Sequence, residues 1–287
     1  MGALPRRLLL LAFLALLLGI FLAPDPRLLL GDFLGRHVEI ARNLAAIALF
    51  LEVLQPATAH PQLAALQHVV KGMKAYSEAE ASEMSPLDRV IDLVDDFGWN
   101  HGFLINVGDV KGKILDSAVK QRLQSGGNLK LAVELGTFMG YGTLRLSRML
   151  NHSDAEIITV DPDVFAYTLA SSLYEQAQVR NRITIKTDYS YNVFAELKKE
   201  GRQIDFLFLD HVKSRYLADL QLALASGLLA KGCVVVGDNI LSPGVPALKK
   251  YLLEGEGSKL FSTKVHRTHV EYWPLFPDEM TVSTYLG

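Results

Sequence analysis

Two apolar runs in the carboxyl-terminal half of the chain each end in an acid. Residues 206–210 close on Asp210 and residues 234–238 close on Asp238, with Asn239 directly after it. Runs of that length read as buried strands. If the two strands are neighbours, Asp210, Asp238 and Asn239 converge as three hard oxygen donors. Such a set suits octahedral Mg2+, which completes its shell with water or substrate oxygens. Lys213 follows three residues after Asp210. It reaches the same edge and can serve there as a general base. Each aspartate taken alone also fits a plain helix cap, and Lys213 a solvated loop residue. Two acids with an amide and a lysine beside them favour the metal site.

A second constellation runs from Lys130 to Gly142. Residues 129–133 are apolar apart from Lys130, Glu134 ends the run, and glycines follow at 136, 140 and 142. Helical spacing then takes over, with Leu144, Met149 and Leu150 apolar and Arg145 and Arg148 polar. Strand, glycine-rich turn and helix is the geometry that lets backbone N–H groups approach a nucleotide at a helix N-terminus. The spacing departs from the dinucleotide fingerprint, because an acid precedes the first glycine and three residues separate it from the second. A carboxylate there suits a cationic ligand better than a pyrophosphate, and S-adenosylmethionine carries both an ammonium and a sulfonium. Asp161, which ends the next apolar run, is placed to accept ribose hydroxyls. An ordinary strand–turn–helix corner is the plain alternative.

The elements that must position these residues alternate along the chain. Strands are expected at 131–134, 157–161, 183–187, 206–210 and 233–237, with helices at 143–150, 164–178, 191–200 and 216–229. That alternation predicts an α/β domain with an open, doubly wound, mostly parallel sheet. Such sheets bind ligands outside the carboxyl ends of their strands, the edge where Glu134, Asp161, Asp210 and Asp238 all fall. Further helices are expected over 63–79 and from Ser85 through Asp96. The 287 residues carry a net charge of −2 and no basic run, which argues against nucleic acid as a partner. A single cysteine, Cys233, excludes a disulfide framework and a cysteine-rich zinc site, and reads as a small core residue.

The amino terminus has a different character. Arg6 and Arg7 precede sixteen apolar residues, 8–23, closed by Pro24 and Asp25. That run is slightly short of the roughly 17–25 residues of a membrane span and slightly long for a signal-peptide core. Its flank is a poor cleavage site. The expectation is an uncleaved single-pass anchor over residues 1–30, with a secreted or lumenal chain after signal cleavage as the alternative. The paired arginines predict a cytoplasmic N-terminus. Residues 31–61 read as an amphipathic helix and linker, and 62–287 as the catalytic domain.

Five blocks together carry a resemblance: Ile-Asn-Val-Gly-Asp-Val-Lys-Gly (105–112), Glu-Leu-Gly-Thr-Phe-Met-Gly-Tyr (134–141), Leu-Asp-His-Val-Lys-Ser-Arg-Tyr (209–216), Asp-Asn-Ile-Leu-Ser-Pro-Gly (238–244) and Val-Glu-Tyr (270–272). In order and spacing they resemble the catechol O-methyltransferase family, including its membrane-bound form. The resemblance implies a Rossmann-like methyltransferase fold. It implies Mg2+-dependent methyl transfer from S-adenosylmethionine to a hydroxyl of an aromatic vicinal diol. Val107, Glu134, Gly136, Gly140, Tyr141 and Gly142 would then meet the methionine part of the cofactor, Asp161 the ribose, and Ser190 and His211 the adenine. Asp210 would close the cofactor site and, with Asp238 and Asn239, hold Mg2+. Lys213 would accept the proton of the attacking hydroxyl, and Glu271 would bind its neighbour. The chain departs from that pattern at Asp161 (a glutamate there), Gly142 (a serine) and Tyr191 (a glutamine). Val212 and Phe103 stand in place of two tryptophans that shape the catechol pocket, with Trp99 four residues before Phe103. A nucleotide-dependent oxidoreductase and a catalytically dead, membrane-tethered binding protein remain the alternatives.

Overall fold

The computed structural model describes residues 60–76, 83–125, 128–179 and 182–287. Five short apolar segments form its parallel strands: β1 (Leu131–Leu135), β2 (Glu156–Val160), β3 (Ile183–Lys186), β4 (Ile204–Leu209) and β5 (Leu229–Gly237). Two antiparallel strands, β6 (Phe261–Val270) and β7 (Trp273–Tyr285), complete a seven-stranded sheet in the order β3-β2-β1-β4-β5-β7-β6. Strand order reverses between β1 and β4, and that switch point opens a crevice at the carboxyl ends.

Helices cover both faces, so the central strands read as continuous apolar runs. On one side lie α1 (Pro61–Lys74), α2 (Pro86–Asn100), α3 (Gly108–Gln124), α4 (Tyr141–Met149) and α5 (Val164–Gln176); on the other lie α6 (Ser190–Lys199), α7 (Tyr216–Ala225) and α8 (Pro246–Leu253). The side-chain period of two divides each strand between two cores. Ala132, Phe206, Phe208 and Val236 pack with Val90, Leu115 and Leu144, whereas Val133, Leu207, Leu209 and Val235 pack with Phe194, Leu220 and Leu248.

The parallel αβ alternation is as expected, with three differences. The helix expected over 216–229 stops at Ala225, because Gly227 turns left-handed (φ 68°) and the Leu228 N–H closes back on the Ala223 carbonyl. Leu229, at the end of the expected helix, belongs instead to β5, which starts there rather than at Cys233. Helices α3 and α8 and the β6–β7 hairpin were not expected at all. The anchor and amphipathic helix expected before residue 60 lie outside the described residues. Among the described residues, no helix is long and apolar enough to cross a membrane.

Candidate active site

At the carboxyl end of β1, the Gly136 N–H continues the ladder by bonding to the Val160 carbonyl at 2.8 Å. The chain then turns on Gly136 at φ 99°, where a Cβ would lie 2.3 Å from the Asp210 carbonyl oxygen. Only glycine fits that approach of β1 to β4. Asp161 braces the same turn from β2, its Oδ2 accepting from the N–H groups of Thr137 and Phe138, each at 3.1 Å. Gly140 is the left-handed N-cap of α4 and Tyr141 its first residue. Gly142 lies inside α4 rather than in the turn, and its reason is space: a Cβ would meet Glu134 Oε1 at 2.2 Å.

Glu134 is buried beneath this turn. Thr159 donates to its Oε2 at 2.7 Å and Thr143 donates to the same oxygen. Burial outweighs these bonds and raises the carboxyl to about 8. Tyr141 donates to both oxygens of Asp95 at 2.7 and 2.9 Å, and the Tyr272 hydroxyl reaches Asp95 as well at 2.9 Å. Burial raises Asp95 to about 6. Val107, the N-cap of α3, has its side chain in the core.

Ser190 and His211 meet on a residue that sequence reasoning missed. The buried carboxylate of Asp219, on α7, accepts from Ser190 Oγ at 2.8 Å, pairs with His211 Nε2 at 2.8 Å and accepts from Arg215 at 2.8 Å. Burial opposes its charge, but these partners prevail and hold its pKa below the ordinary aspartate value. The His211 ring stacks on Tyr216 at 4.9 Å.

Asp210 and Asp238 close neighbouring strands, because β4 and β5 are parallel and in register from Phe206 and Val234 onward, and the acids whose oxygens come within 4.8 Å of one another are Asp238, Glu271 and Asp278. Asp210 N–H bonds to the Leu135 carbonyl and Asp238 N–H to that of Leu209, which sets the two acids side by side at the strand ends. Asn239 follows in a left-handed conformation at φ 54°, which asparagine tolerates. Its amide nitrogen donates to Glu271 at 2.9 Å and to Asp278 at 3.2 Å. Lys213 donates to Asp210 at 2.8 Å and to the Tyr216 hydroxyl at 2.8 Å. Burial raises both Asp210 and Asp238 to about 6, against the pull of Lys213 on the first and Lys111 on the second.

Two members of this cluster carried no expected role. Lys111, one turn past Val107 on α3, is 1% exposed. Its Nζ lies 2.7 and 2.9 Å from the oxygens of Asp238 and 3.1 Å from Asp278, and it donates to Glu271. Burial alone would lower its pKa; the three carboxylates more than reverse this and hold it above the ordinary lysine range. Asp278, on β7, also accepts from the N–H groups of Leu241 and Ser242 at 3.2 and 2.9 Å, so it anchors the loop after Asn239. Glu271 sits with Tyr272 in the two-residue turn between β6 and β7. The same hairpin supplies an aromatic rim: Trp273 stacks on Phe276 at 4.5 Å and tilts against Phe103 at 6.0 Å. Trp99 stands edge-on to Tyr272 at 5.5 Å.

A family model described as O-methyltransferase matches residues 105–249, slightly more than half of the chain. A protein described as a probable O-methyltransferase from Mycobacterium tuberculosis is 35% identical over 207 residues, which is 70% of this chain and 85% of that one. Catechol O-methyltransferase from Mus musculus is 31% identical over 202 residues, covering 69% of this chain and 72% of its own length. The fold is shared with a Bacillus cereus O-methyltransferase solved in complex with SAH, at 20% identity and a TM-score of 0.56, over 74% of this chain and 99% of that one. These matches set aside the oxidoreductase alternative. The chain belongs to the O-methyltransferase family, as an S-adenosylmethionine-dependent enzyme similar to the catechol O-methyltransferases.

Proposed function

We propose that this enzyme methylates one hydroxyl of a catechol-like vicinal diol in a Mg2+-dependent reaction. The observation that carries the reading is the charge balance at the ends of β4 and β5. Four carboxylates, Asp210, Asp238, Glu271 and Asp278, face two ammonium groups, Lys111 and Lys213. The anionic excess suits a divalent cation. Asp238 Oδ1 is buried and receives no hydrogen bond among the described residues, although the Lys111 ammonium lies nearby. Asp210, Asp238 and Asn239 fit Mg2+ as hard oxygen donors and would hold it. Bound there, Mg2+ supplies the Lewis acidity that lowers the pKa of the acceptor hydroxyl.

The chain's own groups account for the remaining steps. Lys213 accepts the proton of the attacking hydroxyl at Nζ. Glu271 accepts a hydrogen bond from the adjacent hydroxyl. As the new oxygen–carbon bond forms, the methyl carbon–sulfur bond breaks and its electron pair stays on sulfur. Much of the rate would come from holding oxygen, carbon and sulfur collinear. On the cofactor side, Glu134 offsets the cationic methionine end, with Val107, Gly136, Gly140, Tyr141 and Gly142 around it. Asp161 takes the ribose, and Ser190 and His211 flank the adenine with Asp210 closing the site. The rim of Phe103, Trp273 and Phe276, with Leu275 87% exposed beyond it, supports an acceptor carrying more apolar surface than a bare catechol. In this reading residues 62–287 are the catalytic domain, and the apolar run at 8–23 anchors it to a membrane.

Labelled S-adenosylmethionine, offered with a panel of catechols of increasing apolar bulk, tests the reading. Label should pass to at least one diol with Mg2+ present and to none in excess chelator. A chain that binds the cofactor yet methylates no vicinal diol would refute it and favour the dead binding protein.

A further inference from the structure

On the α1–α2 pair, apart from the acidic cluster at the ends of β4 and β5, three partly exposed side chains converge. His68 belongs to α1, Asp96 to α2, and His101 is the C-cap of α2. Nε2 of His68 lies 2.9 Å, and Nε2 of His101 3.4 Å, from the same atom, Oδ2 of Asp96. All three atoms lie within 4.8 Å of one another. Phe97 sits against both imidazoles, at 5.9 and 6.0 Å between ring centroids, and fixes their placement. Asn100 donates to the other Asp96 oxygen, Oδ1, at 2.9 Å, which turns Oδ2 toward the histidines.

We propose that His68, Asp96 and His101 form a binding site for a transition-metal ion with the preferences of Zn2+, separate from the active site. Ordinary ion pairing is the competing account. It would have His68 donate along the line to Asp96. Yet His68 Nε2 is buried and makes no hydrogen bond among the described residues, despite its 2.9 Å approach. Nitrogen and oxygen are close but not aligned, as two ligands of one ion are. Tetrahedral zinc with bonds of about 2.0–2.1 Å spaces neighbouring ligand atoms about 3.3 Å apart. The observed 2.9 and 3.4 Å bracket that spacing. Two imidazole nitrogens and one carboxylate favour zinc over Mg2+, which prefers oxygen donors throughout. Asp96 and His101 are about half exposed, so a fourth position stays open to water. Asn100 supplies the outer hydrogen bond that orients a ligating carboxylate. The ion would bind α1 to α2, while the adjacent Asp95 serves Tyr141 and Tyr272 on the inner side.

Zinc titration of the metal-stripped full chain, with excess Mg2+ present for the oxygen-donor site, tests this. One equivalent of Zn2+ should bind and raise the Tm, and Co2+ in its place should give a tetrahedral absorption spectrum. His68→Gln and His101→Gln should each abolish stoichiometric binding and leave methyl transfer unchanged. Asn100→Ala should weaken binding roughly 10–100-fold. His101 is half exposed, so its variant keeps the test valid if His68→Gln folds poorly. Absence of stoichiometric zinc, an octahedral cobalt spectrum, or zinc retained by His101→Gln would overturn the proposal.

Discussion

Glu134 offers the most direct physical test of how the cofactor is held. Its side chain is buried, its two hydroxyl partners only partly offset the lost hydration, and its carboxyl is raised to about 8. In the free enzyme at pH 7 it is therefore about 90% protonated. If Glu134 faces the cationic end of S-adenosylmethionine, binding must ionise it, and the proton must leave for the buffer. Ionising it at pH 7 costs about 1.4 kcal/mol, a tenfold handicap on affinity that fades once the pH exceeds about 8. The sign follows from the raised value. Free enzyme holds the proton below about 8, bound enzyme does not, so affinity rises with pH through that window and then levels. Titration calorimetry at pH 7 in buffers of different ionisation enthalpy should report release of about 0.9 proton per cofactor, falling toward 0.1 at pH 9. The ligand's own amine titrates near 8 with the opposite sign, so the comparison is with Glu134→Gln, which keeps the shape and has no proton to lose. Equal proton counts in parent and variant would refute the assignment of Glu134 to the cationic end.

Burial raises Asp210 and Asp238 to about 6, so protons compete with Mg2+ as the pH falls through that value. Apparent Mg2+ affinity should drop by up to about a hundredfold per pH unit below it, one factor of ten per carboxylate, and a flat profile between pH 5 and 8 would count against these ligands. Asp219→Asn removes the charge that orders Ser190, His211 and Arg215. With charged hydrogen bonds worth about 1.5–3 kcal/mol, KM for S-adenosylmethionine should rise at least roughly tenfold with kcat nearly preserved, and unchanged steady-state kinetics would detach Asp219 from the cofactor. Lys213→Met keeps the stem and removes the base, so turnover should fall about 10²–10⁴-fold with little change in cofactor affinity. Recovery of part of that loss at higher pH is expected, and turnover within a few-fold of the parent would leave proton removal to the metal alone.

What the sequence discloses follows from where apolar runs end. Buried parallel strands are continuous in Val, Ile, Leu and Phe, so β1, β2, β4 and β5 and the acids that close them are legible, together with the glycines that the β1–β4 approach demands. The hairpin is another matter. Strands β6 and β7 lie at the antiparallel edge, β6 is only partly buried, and Lys264, Arg267 and Glu279 interrupt them. No apolar run marks Asp278, and apart from the neighbouring Glu279 N–H its partners stand 36 to 167 residues away in sequence. Asp219 falls in the first turn of α7, where an acid usually means a favourable dipole and a solvated position. Lys111 gives no signal in the sequence, because a lysine on a polar helix reads as surface until tertiary packing buries it. Trp273 meets Phe103 only through the turn that brings the hairpin against it, a contact no local sequence pattern marks.

Lys111 and Lys213 stand at the same acidic edge, and their surroundings separate their roles. A base must give up its proton before the reaction and accept another during it. Lys111 cannot do so cheaply. Its ammonium is 1% exposed and touches three carboxylates at once, so neutralising it would leave Asp238, Glu271 and Asp278 buried against one another with no cation among them. Removing one partner of a buried charge network typically costs about 3–5 kcal/mol. Lys213 is 23% exposed, pairs with the single carboxylate of Asp210 and shares its second hydrogen bond with a neutral tyrosine hydroxyl. A divalent ion taking Asp210 would loosen that pairing and leave Nζ beside the acceptor with a route to water. Lys111 therefore serves as a fixed positive charge that holds Glu271 in place and keeps the acids from repelling one another. Proton transfer falls to Lys213, whose partner is also one of the proposed metal ligands.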